Sequence, residues 1–177
     1  ILERLATEEE FPDEDLLVLR DRHTYHLASR EDLRRRRHLT VQLLSAAAVE
    51  GYETVRVTFD ADQGQPRVLS ARVITPAGEV REVPRASILI TAPEGRSADV
   101  SDVRDLVIPF SGVTEGAVVD YCIEEEMPSF LDLGQAFEYY FGFGSPQREE
   151  LLEVILADGV AAHLHDAHAP VAATRHE

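Results

Sequence analysis

Short runs in which apolar and polar residues alternate constrain the fold of this chain more than any other feature. The clearest run is ETVRVTF, where Val55, Val57 and Phe59 point to one side of an extended backbone. Runs of this kind recur roughly every 8 to 12 residues, and no amphipathic helix separates them. The pattern predicts an all-β fold, an antiparallel β-sandwich with a short N-terminal helix or tail, or else an open barrel.

Turn residues divide the predicted strands from one another. Pro76 and Gly78 in TPAGEV predict a tight hairpin. The stretch AAAVEGY has helical composition but reaches Gly51 after too few residues for a full helix, so we predict a turn or a single helical turn. The predicted strands are LLVL, TYHLA, LRRRRHLTVQLLS, ETVRVTF, the run around LSARV, EVREV, SILITA, LVIPF, AVVDYCIEEE, AFEYYFGFG, LLEVILA and AAHLH.

The length of 177 residues fits one domain, which at this size buries roughly 70% of the surface of its unfolded chain. We predict an acidic tail or short helix over residues 1–14, a β-sandwich domain over 15–165 and a histidine-rich tail or linker over 166–177. No apolar run approaches the roughly 20 residues that span a bilayer, so no membrane-spanning segment is predicted. The chain begins at Ile1 without a leader pattern, which fits a cytoplasmic fragment or a chain cut after its targeting segment. The compartment stays open.

The charge is strongly unbalanced. There are 33 acidic and 17 basic residues, a net charge of −16, which repels nucleic acid phosphates and argues against nucleic acid as a partner. Every basic residue is an arginine, so a Schiff-base lysine, a lysine general base and the lysine of a phosphate-binding loop are all excluded. No residue pattern implies a cofactor.

Cys122 is the only cysteine and lies in the run AVVDYCIEEE. A catalytic thiol needs a lowered pKa, which a helix N-terminus or a nearby cation supplies. Alternation instead places Asp120 and Glu124 on the same side of the strand as Cys122, and carboxylates raise the pKa of a thiol. We therefore predict a structural cysteine and no catalytic residue in this chain.

The C-terminal stretch HLHDAH contains His163, His165 and His168, which have plausible spacing for metal ligands. His163 and His165 would project from the same face of a strand, and a turn would have to bring back a third ligand. The alternative is an exposed terminal strand and tail. His23 and His26 lie three apart in a predicted strand, so we expect them on opposite faces.

The run AFEYYFGFG would place four rings on one face of a strand. Aromatic side chains dominate the interiors of sandwiches, so a layer of the core is the simpler interpretation. The functional alternative is a surface on which a glycan or an extended peptide stacks. The residues concerned are Phe137, Tyr139, Phe141 and Phe143.

Two further charge runs have structural interpretations. The arginines of the run Arg34–Arg37 split between the two faces of a strand, and the excess of acid favours pairing within the chain over anion capture. The acids EEEFPDED, Glu124–Glu126 and Glu149 with Glu150 are expected on solvated surface rather than as a catalytic carboxylate pair.

The order of several segments resembles a bacterial domain of unknown function that precedes transglutaminase-like domains. The PAG turn, followed by a Pro-Phe pair, a glycine and a valine-rich strand with an acid and a tyrosine, is the most specific part of the resemblance, which covers nearly all of residues 11–160. The run Arg34–Arg37 and the histidine-rich tail depart from it. The segments are FPDEDLLVLRDRHTYHLA, LTVQLLSAAAVEGYETVRVTFD, VLSARVITPAGEVREV and VIPFSGVTEGAVVDYCIEEE.

The resemblance implies a β-sandwich on the N-terminal side of a papain-like catalytic domain, in proteins that are often exported or attached to a membrane. It implies no catalytic residues in the sandwich, and Cys122 does not match the helix-borne cysteine of the transglutaminase-like core. The partner it implies is that adjacent domain in the same polypeptide.

Three hypotheses follow. The first is a non-catalytic accessory β-sandwich that positions substrate for a neighbouring transglutaminase-like or protease-like domain. The second is a stand-alone module that binds a protein or glycan ligand on the aromatic face. The third is a metal-dependent hydrolase built on His163 and His165.

Overall fold

The computed structural model describes residues 5–7, 10–29, 32–93, 102–127, 139–142 and 144–161. Over these residues the chain forms strands with one short α-helix, α1 (Ala46–Tyr52), and single 3-10 turns at Ala61–Gln63 and Arg85–Ser87. The strands are β1 (Leu16–Leu27), β2 (Leu33–Leu43), β3 (Thr54–Asp60), β4 (Arg67–Ile74), β5 (Val80–Glu82), β6 (Leu89–Thr91), β7 (Val103–Pro109), β8 (Val118–Met127) and β9 (Glu150–Leu156).

The strands form two sheets. The larger has six strands in the order β5-β4-β8-β2-β1-β9, and the smaller has three in the order β3-β7-β6. The prediction of an all-β fold is confirmed. Every pair is antiparallel except β1 with β9, which run parallel.

LLVL and TYHLA form one strand, β1, rather than two. A β-bulge between Val18 and Arg20 explains why the apolar alternation changes phase inside it. Val18 lies opposite Val41 and Asp21 lies opposite Leu39, so the extra residue places Val18 and Asp21 on the same face although they are three apart in sequence.

The two faces of the six-stranded sheet differ in what they carry. We call core face the one that holds the odd-numbered side chains of β2 and β8, and outer face the one that holds their even-numbered side chains. The smaller sheet packs against the core face, where Ile108 and Phe110 join the apolar side chains of the larger sheet. The fully buried members of this core include Val41, Leu43, Val73 and Val119.

Two smaller apolar clusters complete the interior. At one end of the outer face, Leu17 and Val118 pack with Ala6 from the N-terminal segment. At the far end of the core face, Tyr25, Leu27 and Leu33 pack together. Charged and polar side chains occupy the sheet between these clusters, and they form the candidate site.

The predicted turn at AAAVEGY is a seven-residue helix, longer than the single turn expected from sequence. Ser45 caps its N-terminus by accepting a hydrogen bond from the Ala48 amide, which offsets its short length. The predicted hairpin at TPAGEV joins β4 to β5, and Gly78 adopts a φ of 84°, which a glycine accommodates without strain.

In the part of the chain that the structure describes, no helix has the length and apolar character needed to cross a membrane.

Candidate functional site

A nearly completely buried carboxylate, that of Asp120 in β8, organises the outer face. Its Oδ1 accepts from the Thr40 hydroxyl at 2.7 Å and lies 2.9 Å from His38 Nε2, while Oδ2 accepts from Arg72 Nε at 2.8 Å. Burial works against its ionisation, but the hydrogen bonds from His38 and Thr40 and the charge of Arg72 outweigh that effect and lower the pKa to about 2. Asp120 is therefore a charged, fully hydrogen-bonded node.

Cys122 lies beside this node, directly opposite His38 in the β2–β8 pair. Cysteine, histidine and aspartate thus stand together, but among the described residues no hydrogen bond joins the imidazole to the thiol, because His38 Nε2 is directed to Asp120. Burial raises the pKa of the thiol, and Arg36 only partly offsets the effect. The prediction that Cys122 lies in a strand beside Asp120 and Glu124 is confirmed, and its thiol is poorly ionised at neutral pH.

The arginine run of β2 pairs within the chain, as predicted. Successive arginines alternate between the two faces and each meets an acid there. Glu124 and Glu125 belong to these pairs, so the expectation that they lie on solvated surface is wrong for both; their side chains are 13% and 17% exposed. The pairs are Arg34 with Asp32, Arg35 with Glu125, Arg36 with Glu124, and Arg37 with Asp21.

On the core face, Asp21 forms a second trio with an arginine and a histidine. Arg37 donates from Nε to Oδ1 at 3.0 Å and from Nη2 to Oδ2 at 2.7 Å, a bidentate pair. His23 Nε2 lies 3.1 Å from Oδ1. Burial works against ionisation here too, but the hydrogen bonds from His23 and Arg37 outweigh it and lower the pKa of Asp21 to about 2.

His23 leaves one polar atom of this second trio unsatisfied. Its Nδ1 is buried and has no hydrogen-bond partner among the described residues. The expected separation of the two histidines is confirmed, because His23 is buried in β1 while His26 is exposed on the other face. The ring of Tyr139 packs edge-on against His23, with centroids 4.8 Å apart.

Glu150 of β9 binds residues 139–142 to the sheet. The Tyr139 hydroxyl donates to Glu150 Oε1 at 2.8 Å, and the Gly142 amide donates to Oε2 at 2.9 Å. Phe141 packs edge-on against the Tyr139 ring at 4.8 Å between centroids. Burial and the hydrogen bond to Glu150 both raise the pKa of the Tyr139 hydroxyl, which stays protonated and donates.

The predicted aromatic strand AFEYYFGFG is wrong where the structure describes it, since residues 139–142 form no strand. Gly142 adopts a φ of 83°, which breaks the alternation. Tyr139 and Phe141 still lie together, with Phe141 38% exposed, and the neighbouring Tyr140 is 67% exposed. The other two predicted residues, Phe137 and Phe143, fall outside the described residues.

The predicted metal ligands His163, His165 and His168 also fall outside the described residues. Within the ranges that are described, no group of three histidine, cysteine or acidic side chains is placed to hold a metal ion. The metal hypothesis stays a prediction from sequence.

Sequence reasoning did not single out Asp21 or Asp120 as the centres of charged networks. A signal was present, because Asp120 interrupts the apolar run VVDYCI of a strand, and a carboxylate buried there requires a cation or several donors. Their partners could not be read from the chain, since Arg72 is 48 residues from Asp120. Only the pairing of β4 with β8 brings them together.

Comparisons with known proteins match the chain to a family and to solved structures, two of which are described here. The family DUF3857, a domain of unknown function with a solved structure, matches residues 30–177. A "putative protease" from Parabacteroides distasonis shares the fold with a TM-score of 0.56 at 12% identity, over 62% of this chain and 22% of that one. Aminopeptidase A from Legionella pneumophila, in complex with aspartic acid, matches with a TM-score of 0.31 at 6% identity, over 68% of this chain and 12% of that one, too weak a similarity for any argument. No curated protein matches.

Proposed function

Because the chain belongs to the DUF3857 family, we propose that it is a non-catalytic accessory β-sandwich of a longer protein. In this proposal the sandwich positions substrate for a neighbouring transglutaminase-like or papain-like catalytic domain. That domain lies in the same polypeptide and supplies the nucleophile.

The observation that carries the proposal is the relation in size to the Parabacteroides protein. The part of this chain that aligns, 62% of its length, covers 22% of that longer chain, whose printed description is a "putative protease". Because the aligned region is only about a fifth of that protein, most of the longer chain lies outside the similarity, which fits a supporting role beside a larger part. The order of segments that resembles domains preceding transglutaminase-like domains points the same way.

The chemistry of the described residues agrees with a supporting role. Cys122 is buried, its thiol pKa is raised, and among the described residues no hydrogen bond joins it to the imidazole of His38, whose Nε2 is directed to Asp120. Both Asp–His pairs are tied to arginines, so each carboxylate is occupied by structural partners rather than by orienting a histidine toward a nucleophile. Among the described residues, the ionisable clusters stabilise the sheet.

The experiment starts from the native reading frame on both sides of residues 1–177. We expect a downstream cysteine, histidine and aspartate in transglutaminase order. The full-length protein is then assayed for peptide cleavage and for transamidation, alongside two single-cysteine variants. Replacing the downstream cysteine by alanine should abolish activity, whereas Cys122→Ala should leave it unchanged.

Two results would contradict the proposal. One is a reading frame with no catalytic domain on either side. The other is a full-length protein whose activity disappears in Cys122→Ala while the variant stays folded by circular dichroism.

A second candidate function rests on the exposure of two rings of the 139–142 segment. Tyr140 is 67% exposed and Phe141 38%, an arrangement on which a sugar ring or an extended peptide can stack. This would make the chain a carbohydrate- or peptide-binding module. Titration with soluble oligosaccharides, followed by tyrosine fluorescence, should detect binding that Tyr140→Ala with Phe141→Ala removes; an unchanged signal in the double variant counts against the module.

A further inference from the structure

β9 lies at one edge of the six-stranded sheet, opposite the edge formed by β5. Among the described residues it pairs with β1 alone. Four of its apolar side chains are between 36% and 42% exposed, two on each face of the sheet: Val154 and Leu156 on the core face, Leu151 and Ile155 on the outer face. An exposed edge that is apolar on both faces is a template for another strand.

The backbone of β9 has hydrogen-bonding groups directed away from β1. Asp21 N donates to Glu149 O at 2.9 Å, and Ala157 N donates to Leu27 O at 2.9 Å, so the odd-numbered residues of this segment bond to β1. In a parallel pair the intervening residues turn their amides and carbonyls to the other side. Leu152, Val154 and Leu156 therefore present their N–H and C=O groups at the open edge.

The other outermost strands lack this combination. β5 and β6 have only three residues each. β3 has seven, but it alternates in burial, with polar residues such as Arg56 and Thr58 on the face turned from the core. Five of the seven residues of β9 are leucine, isoleucine or valine, so charged side chains protect little of this edge. It is thus the edge best suited to pairing with another chain.

The acidic residues in and around β9 indicate what kind of chain could pair with it. The segment from Arg148 to Asp158 contains four acids and one arginine, in a protein of net charge −16. Two of these acids, Glu149 and Glu153, form salt bridges with arginines of β1. Glu150 instead accepts from two neutral donors, the Tyr139 hydroxyl and the Gly142 amide, so these contacts do not offset its charge. Pairing of β9 with a second copy would bring acid against acid, which is unfavourable, whereas a basic segment is attracted.

We propose that β9 accepts an extended polypeptide segment, with alternating apolar and basic side chains, as a seventh strand of the sheet. The backbone edge supplies affinity and the exposed apolar side chains select the segment. As a statement about substrate this rests on the proposed function, and it names the substrate class as unfolded polypeptide; the binding itself does not depend on a catalytic domain.

The test uses a fluorescent peptide of about six residues, a common strand length, that alternates valine with arginine. Its binding to the 177-residue chain is measured by fluorescence anisotropy at low salt. Val154→Pro removes an outward amide without removing a hydrogen bond to β1, and Val154→Ala is the matched control that keeps the amide. We expect Val154→Pro to weaken binding at least about tenfold and Val154→Ala to have a much smaller effect.

A second measurement keeps the test decisive if Val154→Pro fails to fold. The peptide is N-methylated at alternate residues, in two versions that block opposite edges of its backbone. Added as a strand, the peptide uses only one edge, so one version should lose binding and the other should keep it. A peptide with glutamate in place of arginine should bind at least about tenfold more weakly.

Several results would overturn the inference. These are no binding of the valine–arginine peptide to the wild-type chain, equal binding of the two N-methylated versions, or a concentration-dependent dimer that Val154→Pro abolishes, since the occupant would then be a second copy. A different result would refute the proposed function and leave the inference standing. In that case Val154→Pro weakens peptide binding but does not change the activity of the full-length protein.

Discussion

Two trios, each of an aspartate, a histidine and an arginine, lie on opposite faces of one sheet. They differ in how completely their polar atoms are hydrogen-bonded. On the outer face, Asp120 receives hydrogen bonds from Thr40 and Arg72 in addition to His38. On the core face, Asp21 binds Arg37 and His23, but His23 Nδ1 is left without a partner.

The difference shows that an aspartate, a histidine and an arginine can serve two purposes in one sheet. The Asp120 trio joins three adjacent strands, β2, β8 and β4. Its donors, together with the Thr40 hydroxyl, all bond to the single carboxylate of Asp120, so the trio links these strands inside the sheet. The Asp21 trio ties only β1 to β2 and places His23 against Tyr139, so it also provides the surface on which residues 139–142 rest.

Removing each carboxylate should change the free energy of unfolding most, and it tests the difference between the two trios most directly. Asp120→Ala should lower the free energy of unfolding by about 3 to 5 kcal/mol, because three donors lose a buried acceptor. Asp21→Ala should cost less, about 2 to 3 kcal/mol, because Arg37 is 43% exposed and water can replace part of its pairing. Urea denaturation measures both.

Asparagine at each position is the matched control for those alanine variants, since it keeps the side-chain shape and removes the charge. If Asp21→Ala and Asp120→Ala lose equal free energy of unfolding, the view that the polar atoms of the outer trio are more completely hydrogen-bonded is contradicted.

Acid should weaken both trios by a similar amount. Each carboxyl pKa falls from 3.8 to about 2 on folding, so the unfolded chain binds more protons, and the stabilisation present above pH 4 is lost as the pH falls toward 2. The loss is about 2 kcal/mol for each group. Unfolding free energies measured across this pH range should fall less steeply in Asp21→Asn and in Asp120→Asn than in the wild type, and parallel curves would refute the assignment.

Tyr139→Phe should have a smaller and local effect on the core-face side. It removes the hydroxyl that donates to Glu150, at a cost of about 1 kcal/mol to the docking of residues 139–142. Hydrogen exchange at the Gly142 amide should become roughly fivefold faster, while exchange in β8 stays unchanged. Accelerated exchange throughout the sheet would mean that the segment is integral to the fold rather than docked on it.

The two histidines should give the smallest effects and the sharpest contrast. His23→Phe loses the hydrogen bond to Asp21 but also removes the buried, unpartnered Nδ1, so the net change should stay below about 1 kcal/mol. His38→Phe has no such compensation and should cost about 1 kcal/mol or more. Thermal unfolding compares the pair, and a larger loss for His23→Phe would indicate that its Nδ1 is satisfied in solution.

Strand alternation could be read from sequence because it is local, and this is why β3 and β8 follow the predicted pattern. In β4 a bulge between Val68 and Ser70 interrupts the alternation expected for Leu69, Ala71 and Val73. The same reasoning failed for β1, which was predicted as two strands. The bulge between Val18 and Arg20 reverses the phase of the alternation, and no proline or glycine marks it in the sequence. The positive φ of Gly142 ended the predicted aromatic strand in a similar way.

The candidate site was less accessible to sequence reasoning than the fold. An aspartate inside an apolar run indicates a buried charge, but its cation can come from any strand. Arg37 is 16 residues from Asp21, and Glu149 is 129 residues from Arg20. Sheet order alone selects these partners, and the parallel pairing of β1 with β9 leaves no local trace in the sequence.

That parallel pairing has a consequence for how the chain is made. β1 leaves the ribosome long before β9, and at typical rates of synthesis the delay is roughly ten seconds. During this interval one edge of β1 has no native neighbour, and β2 also waits for β8. Contacts between such distant segments slow folding, so the first strands keep unpaired edges until the last strand has emerged.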